Sequence, residues 1–215
     1  MLQFNVLGFP VSVHWFFWLV CFLLSGGLSM KSMDQWPQVI GGMAAIFFSI
    51  LVHELGHALA ARRYGARAAI FFHSLGGLTH YQGGQFNRKR NIVVSLAGPA
   101  AGFLLAALCL FLANFIDLRT NSIFAGMIQV GVFINIFWTV LNLMPVLPLD
   151  GGQVLRDALG PQRAKLTCTI GAIGGGLVAL LALMNGMIIA AVFFGFLAYQ
   201  NWKGAANLQG GTVRQ

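Results

Sequence analysis

His53 and His57 flank Glu54 in the segment His53-Glu54-Leu55-Gly56-His57, and these residue types at this spacing can do hydrolytic metal chemistry. In a helix, residues four apart lie on one face, one turn from each other, so both imidazoles can bind one ion. Glu54 is placed to reach a water molecule on that ion and to act as a general base. The segment therefore has the pattern of a zinc-hydrolase motif.

The helix that must position this motif is apolar. The motif lies in a run from Val39 to Ala61 that is long enough to cross a bilayer. A structural histidine pair is the competing interpretation. However, Glu54 is the only glutamate in the chain, and an ionisable group at membrane depth is costly and usually functional.

The composition predicts a polytopic membrane protein. Hydrophobic residues make up 58% of the 215 residues and charged residues 8%, a balance that one soluble core could not bury. We expect an all-α polytopic fold with about six transmembrane helices, although only Asn185-Gly186 separates the last two. The six predicted spans are Val11 to Leu28, Gln38 to Ala61, Ile92 to Ile116, Ser122 to Leu143, Leu166 to Met184 and Met187 to Trp202.

Positive charges support this topology, because cytoplasmic loops of membrane proteins are enriched in Lys and Arg. With a cytoplasmic N-terminus, only Lys31 and Arg119 fall in outer loops, and the C-terminus is also cytoplasmic. Topology and anionic lipid explain the net charge of +8, so we expect no nucleic-acid partner. The eleven inner charges are Arg62, Arg63, Arg67, Arg88, Lys89, Arg90, Arg156, Arg163, Lys165, Lys203 and Arg214.

A catalytic zinc usually takes three protein ligands, so the motif needs one more. Asp34 and Asp117 fall in predicted outer loops, and Asp157 lies among the charges of an inner loop. Asp150 remains, at the inner end of the fourth helix. His57 lies near the inner end of its own helix, so the two parts of the site have matching depths.

Two motifs resemble those of the site-2 proteases, which are intramembrane zinc metalloproteases. The stretch Val52 to Leu59 is similar to the first metal motif of that family, and Asn142 to Gly152 is similar to the second. Shorter similarities cover most of the chain up to about Asp157. They are Val13-His14-Trp15, Leu75-Gly76-Gly77 and Ala97-Gly98-Pro99.

The resemblance implies one Zn²⁺ per chain, bound by His53, His57 and Asp150. It implies that Glu54 activates a zinc-bound water, and that Asn142 positions substrate or stabilises the tetrahedral intermediate. Alternatively, Asn142 satisfies backbone groups left open where its helix ends. We expect a single domain over 1–215, with a catalytic core of roughly 38–157, that lacks the PDZ or CBS modules of some members.

A short membrane-associated β or re-entrant segment is predicted between the second and third helices, over Arg67 to Tyr81. Its open edge could pair with the backbone of an unwound substrate, or the segment could only shield the metal. His73 and His80 within it are candidate auxiliary ligands. His14 lies near the site by the family pattern, but a lone histidine there is as often an interfacial hydrogen-bonding residue.

The function that these observations favour is intramembrane hydrolysis of peptide bonds in membrane-anchored protein substrates. A metal-ion transporter and a non-catalytic metal-binding scaffold are the alternatives. A transporter needs no glutamate beside a ligand histidine, and it would usually carry further acidic residues along its path. The expected location is the cell (inner) membrane, with the lipid bilayer as a partner and a homo-oligomer as a candidate state.

Overall fold

The structure is a computed structural model that describes residues 1–73 and 76–210. Leu75 of the predicted Leu-Gly-Gly similarity and the inner charge Arg214 lie outside the described residues. The chain divides into two compact units. The first comprises residues 1–85 and 97–140, and the second comprises residues 86–96 and those from 141 onward.

The described residues are mostly helical, and a small sheet accompanies the helices. The helices are α1 (Trp15–Leu24), α2 (Trp36–Arg63), α3 (Arg88–Leu112), α4 (Ile123–Asn142), α5 (Asp150–Leu159), α6 (Ala164–Met184) and α7 (Ile188–Gly210). The strands are β1 (Leu2–Val6), β2 (Phe9–Val13), β3 (Ala66–His73) and β4 (Gly76–Gly83).

Within the described residues, four helical stretches are long and apolar enough to cross a bilayer. They are Met33–Arg63, Arg88–Leu112, Ile123–Asn142 and Pro161–Met184. Helix α1 has 10 residues, about 15 Å, which is shorter than the hydrocarbon thickness. The second half of α7 carries Gln200, Asn201, Lys203 and Asn207. The predicted total of six transmembrane helices therefore stays a prediction.

The sheet of the first unit has the strand order β1-β2-β3-β4. Strand β2 pairs in parallel with β3, and the other two pairs are antiparallel. The strands β3 and β4 occupy the region predicted to be extended. Strands β1 and β2 were not predicted: the expected first span begins at Val11, but the chain is extended through Val13 and becomes helical at Trp15.

A core of apolar side chains holds this sheet against α1, α2 and α4. Phe72 of β3 packs against Phe17 of α1 and Phe47 of α2, with ring centroids 5.0 and 5.3 Å apart. The core of the first unit thus lies directly beside α2, the helix that carries the histidine motif. Its buried members are Phe9, Val11, Val13, Phe17, Cys21, Ile46, Ile50, Leu51, Leu55, Ala58, Ala68, Ile70, Phe72 and Ile134.

The second unit is organised by the helical hairpin of α6 and α7. Gly171 and Gly175 bring α6 close to α7, as expected for glycines one turn apart on a membrane helix. A smaller apolar cluster contains Val146, Phe194 and Leu197. Val146 belongs to the second predicted metal motif, so its packing against Phe194 and Leu197 attaches that motif to the hairpin.

Candidate metal centre and active site

His53 and His57 lie on one buried face of α2. Their side chains are 4% and 8% exposed, and their Nε2 atoms are 3.2 Å apart. Two nitrogens bound to one tetrahedral zinc, each at 2.0–2.1 Å, would lie about 3.3 Å apart. The spacing of the two imidazoles therefore fits two ligands of a single zinc ion.

Helix α3 passes directly behind these imidazoles, at Gly98. A Cβ atom on Gly98 would lie 2.2 Å from His57 Nε2 and 2.8 Å from His53 Nε2. Only glycine leaves room at this position, because real Cβ atoms do not approach neighbouring atoms so closely. The Ala97-Gly98-Pro99 similarity noted in the sequence thus has a physical basis in the packing of the histidines.

Glu54 is also buried, with 6% of its surface exposed. Strand β4 covers it: a Cβ atom on Gly77 would lie 2.5 Å from Glu54 Cγ. Two positions further along the strand, the Thr79 hydroxyl lies 2.6 Å from Glu54 Oε2 and 3.0 Å from the Glu54 backbone oxygen. The hydroxyl has one hydrogen, so it donates to one of these acceptors at a time. Strand β4 therefore orients the carboxylate.

Thr79 is a residue that the sequence analysis did not single out. It is one of several polar residues in the predicted extended segment and is 25 positions from Glu54. The period-two alternation of a strand offers one signal, because it places Gly77 and Thr79 on the same face. That signal becomes informative only once the strand is known to lie over α2.

Asp150 is the first residue of α5 and is partly buried. Asp150 belongs to the second unit and the two histidines to the first, and these three predicted ligands offer two imidazoles and one carboxylate. Nitrogen and carboxylate ligands of this kind suit a catalytic zinc that keeps one position for water or substrate. The chemistry of the donor set therefore fits the ion that the sequence predicts.

The other residues singled out from the sequence are Asn142, His14, His73 and His80, and each has its own local environment. Asn142 is the last residue of α4 and is partly buried. His14 caps α1, because its Nδ1 accepts a hydrogen bond from the Phe16 backbone. His80 pairs in the sheet with Ala69, whereas His73 pairs with Gly76, so the two histidines lie at different levels of the hairpin.

These features define a helical protein with apolar spans and a buried histidine-glutamate motif, and comparison with known proteins agrees. The model of peptidase family M50 matches residues 41–119 and 117–183, which include both motifs. The chain belongs to this family, that of the site-2 proteases. Its apolar helices and its family make it an integral membrane protein.

Two curated relatives are informative. The zinc metalloprotease MJ0392 of Methanocaldococcus jannaschii is 27% identical over 187 residues, covering 86% of this chain and 53% of the relative. Stage IV sporulation protein FB of Bacillus subtilis is 30% identical over 149 residues, covering 67% of this chain and 46% of the relative. The chain thus spans about half the length of the curated relatives it matches.

A solved structure shares the fold. The site-2 protease from Methanocaldococcus jannaschii matches with a TM-score of 0.64 and 23% identity, over 95% of this chain and 94% of that one. The match covers 95% of this chain and so extends well beyond the two short motifs.

Proposed function

We propose that this protein is an intramembrane zinc metalloprotease that hydrolyses peptide bonds within or next to the transmembrane segments of membrane-anchored substrates. The observation that carries the proposal is the group of buried polar side chains on α2. His53 and His57 have Nε2 atoms 3.2 Å apart, and Glu54, which follows His53 in the sequence, is buried as well. Membership of family M50 and the zinc metalloprotease MJ0392 support it.

The proposed ligands of one Zn²⁺ are His53, His57 and Asp150. The family model covers both motifs, and two imidazoles with one carboxylate are a usual ligand set of catalytic zinc; both observations support this assignment. When bound, zinc supplies Lewis-acid chemistry: it polarises a carbonyl and lowers the pKa of water to about 7. The chain then has to supply a base, a means of holding the substrate and exclusion of bulk water.

Glu54 is the proposed base. Its carboxylate accepts the proton of the attacking water and later returns that proton to the leaving amine. The Thr79 hydroxyl holds one carboxylate oxygen, and β4 closes over the side chain at Gly77, which keeps bulk water away. The side-chain amide of Asn142 is the proposed extra donor to the oxygen of the scissile carbonyl.

Strand β4 is the proposed surface that presents the substrate. In the described residues β4 pairs only with β3, so it forms one edge of the sheet. A substrate segment that has been unwound could pair with this edge and place its backbone beside Thr79 and Glu54. The alternative, in which the hairpin only shields the metal, predicts that changes to the outward side chains of β4 leave cleavage unchanged.

The proposed setting is the cell (inner) membrane, with six spans and both termini in the cytoplasm. The distribution of Lys and Arg supports this orientation. The hairpin β3–β4 would lie at the inner interface, next to the basic end of α2 at Arg62 and Arg63. The catalytic core of 38–157 and the single domain over 1–215 are part of the same proposal.

The test compares membranes from cells that express the wild-type protein or Glu54→Gln. Glu54→Gln removes the base but keeps the size of the side chain, so we expect zinc content to be unchanged and membrane-anchored fragments to accumulate. Quantitative membrane proteomics detects the fragments, and elemental analysis of the purified protein measures zinc. Asp34→Asn is the matched control, because it makes the same change on an exposed carboxylate.

The outcomes separate the three functions. A protease loses cleavage and keeps its metal, whereas a transporter shows altered ion flux with no accumulated fragment. A scaffold shows neither change. The absence of zinc from the purified wild-type protein would contradict the proposal directly.

A further inference from the structure

Asn201 of α7 stands out as a polar side chain buried in an apolar helix. It is 3% exposed, and its Nδ2 group donates two hydrogen bonds. One goes to the Leu197 oxygen at 2.9 Å, one turn earlier in the same helix. The other goes to the Leu147 oxygen at 2.7 Å, in the loop before α5. Asn201 therefore connects the last helix to the second metal motif.

The connected loop ends at the proposed third ligand. Leu147 is three residues before Asp150, and the backbone N–H of Leu149 donates to the Val146 oxygen at 2.9 Å. Val146 is fully buried in the cluster with Phe194 and Leu197 of α7. Two contacts therefore attach the loop to α7: the apolar packing of Val146 and the hydrogen bond from Asn201 to the Leu147 oxygen.

Gly171 of α6 makes room for this arrangement. A Cβ atom at Gly171 would lie 2.2 Å from Asn201 Oδ1. The Oδ1 atom accepts no hydrogen bond among the described residues, so the donor end of the amide carries all of its interactions. Leaving a buried acceptor unsatisfied costs about 1–3 kcal/mol, which makes a merely space-filling role a poor explanation for this residue.

Asn185 provides an internal comparison. Its Nδ2 group donates to the Leu181 oxygen at 2.8 Å, the same one-turn bond that Asn201 makes to Leu197. Asn185 lies in the exposed turn between α6 and α7, and among the described residues it makes no hydrogen bond to the motif loop. The bond to Leu147 is what distinguishes Asn201.

We propose that Asn201 is a positioning residue for the metal site: by holding the Leu147 carbonyl it fixes the backbone that presents Asp150. The inference rests on the proposed assignment of Asp150 as a zinc ligand. It gives the C-terminal hairpin, in which the sequence shows no motif, a specific task in metal binding. Residues that orient metal ligands typically change metal affinity by about 10- to 100-fold when they are removed.

The experiment measures the zinc dissociation constant of the purified full-length protein in detergent, by competition with a chelator of known affinity. Asn201→Leu removes the donor with little change in volume, and we expect the dissociation constant to rise about 10-fold or more. Gly171→Ala displaces the same amide from the other side and is expected to act in the same direction. This second variant keeps the test decisive if Asn201→Leu does not fold.

Two controls match these changes. Asn185→Leu makes the same substitution at an asparagine without the bond to Leu147. Gly176→Ala adds a methyl group to α6 at a position with nothing within 4 Å. Both should bind zinc within about twofold of the wild-type protein. Thermal unfolding of the zinc-free proteins shows whether a variant has only lost stability.

Asp150→Ala separates this inference from the proposed function. If Asp150→Ala binds zinc as tightly as the wild-type protein, the ligand assignment is wrong. If Asp150→Ala weakens binding while folded Asn201→Leu and Gly171→Ala do not, the ligand assignment stands and the role of Asn201 is overturned. Weaker zinc binding in all three, with unchanged controls, supports the inference.

Discussion

At the scale of single residues, the metal motif could be found from sequence, but its supporting contact could not. His53, Glu54 and His57 lie within five positions, so helix geometry alone places them on adjoining faces. Thr79 reaches Glu54 from a strand that follows the helix. No spacing rule joins the two residues, because their contact depends on how β4 lies over α2.

This contact makes Thr79→Val a sharp test of how the base is held. Valine keeps the shape but removes the hydroxyl, and hydrogen bonds to charged groups contribute about 1.5–3 kcal/mol. We expect kcat for cleavage of labelled casein, an unfolded protein, to fall about 10-fold or more while KM stays the same. Zinc content should not change, because Thr79 is not a proposed ligand.

Thr79→Ser is the matched variant, since it retains the hydroxyl and loses only a methyl group. It should keep most of the wild-type kcat. Equal losses in the valine and serine variants would show that the methyl packing matters and that the hydroxyl does not orient Glu54.

At the scale of elements, the long helices and the extended region of β3 and β4 were predictable, whereas α5, β1 and β2 were not. The predicted spans Gln38 to Ala61 and Ser122 to Leu143 correspond closely to α2 and α4, because continuous apolar runs are a strong signal. Helix α5 was missed: it begins Asp150-Gly151-Gly152, and glycine is a poor helix former.

Strands β1 and β2 were missed for a different reason. Each has five residues, and β2 merges in sequence with the apolar run of α1. Strand β1 pairs with β2, and the second partner of β2 lies far along the chain, since Val11 pairs with Ile70. Local pattern could therefore not separate two short strands from the start of a membrane helix.

The close packing of α3 against α2 leads to a prediction at this scale. Gly98→Ala places a methyl group only 2.2 Å from His57 Nε2, so either α3 or the His57 side chain must move. We expect the zinc dissociation constant to rise at least about 10-fold. Competition with a chelator measures it, and proteolytic activity at limiting zinc should fall in parallel.

Gly195→Ala in α7 is the control for adding a methyl group to a membrane helix. The nearest atom to its Cβ would be Ala179 Cβ at 4.0 Å, an ordinary contact. It should bind zinc like the wild-type protein. Normal zinc binding in Gly98→Ala would show that α3 can yield at this point without disturbing the histidines.

At the scale of the whole molecule, composition alone identified a membrane protein, and charge placement suggested its orientation. The four helices of the described part of the chain that are long and apolar enough to span a bilayer agree with the first conclusion. The division into two compact units had no counterpart in the sequence analysis, because it follows from tertiary contacts between distant segments.

The orientation can be tested with single introduced cysteines and a membrane-impermeant maleimide on intact cells. The positive-inside distribution predicts that Lys31→Cys is labelled and that Lys203→Cys is labelled only after the membrane is opened. The parent protein should be checked first, because it contains Cys21, Cys109 and Cys168. Labelling of Lys203→Cys in intact cells would reverse the proposed topology.

The parallel pairing of β2 with β3 also affects how the protein is made. Val11 leaves the ribosome 59 residues before its partner Ile70, roughly 3 to 12 s at the usual elongation rate. During that interval α1 and α2 are synthesised while the edge of β2 that will pair with β3 stays unpaired, and a two-stranded hairpin is barely stable alone. Thr79 follows later still, so a nascent chain acquires the histidines well before it acquires the strand that orients its base.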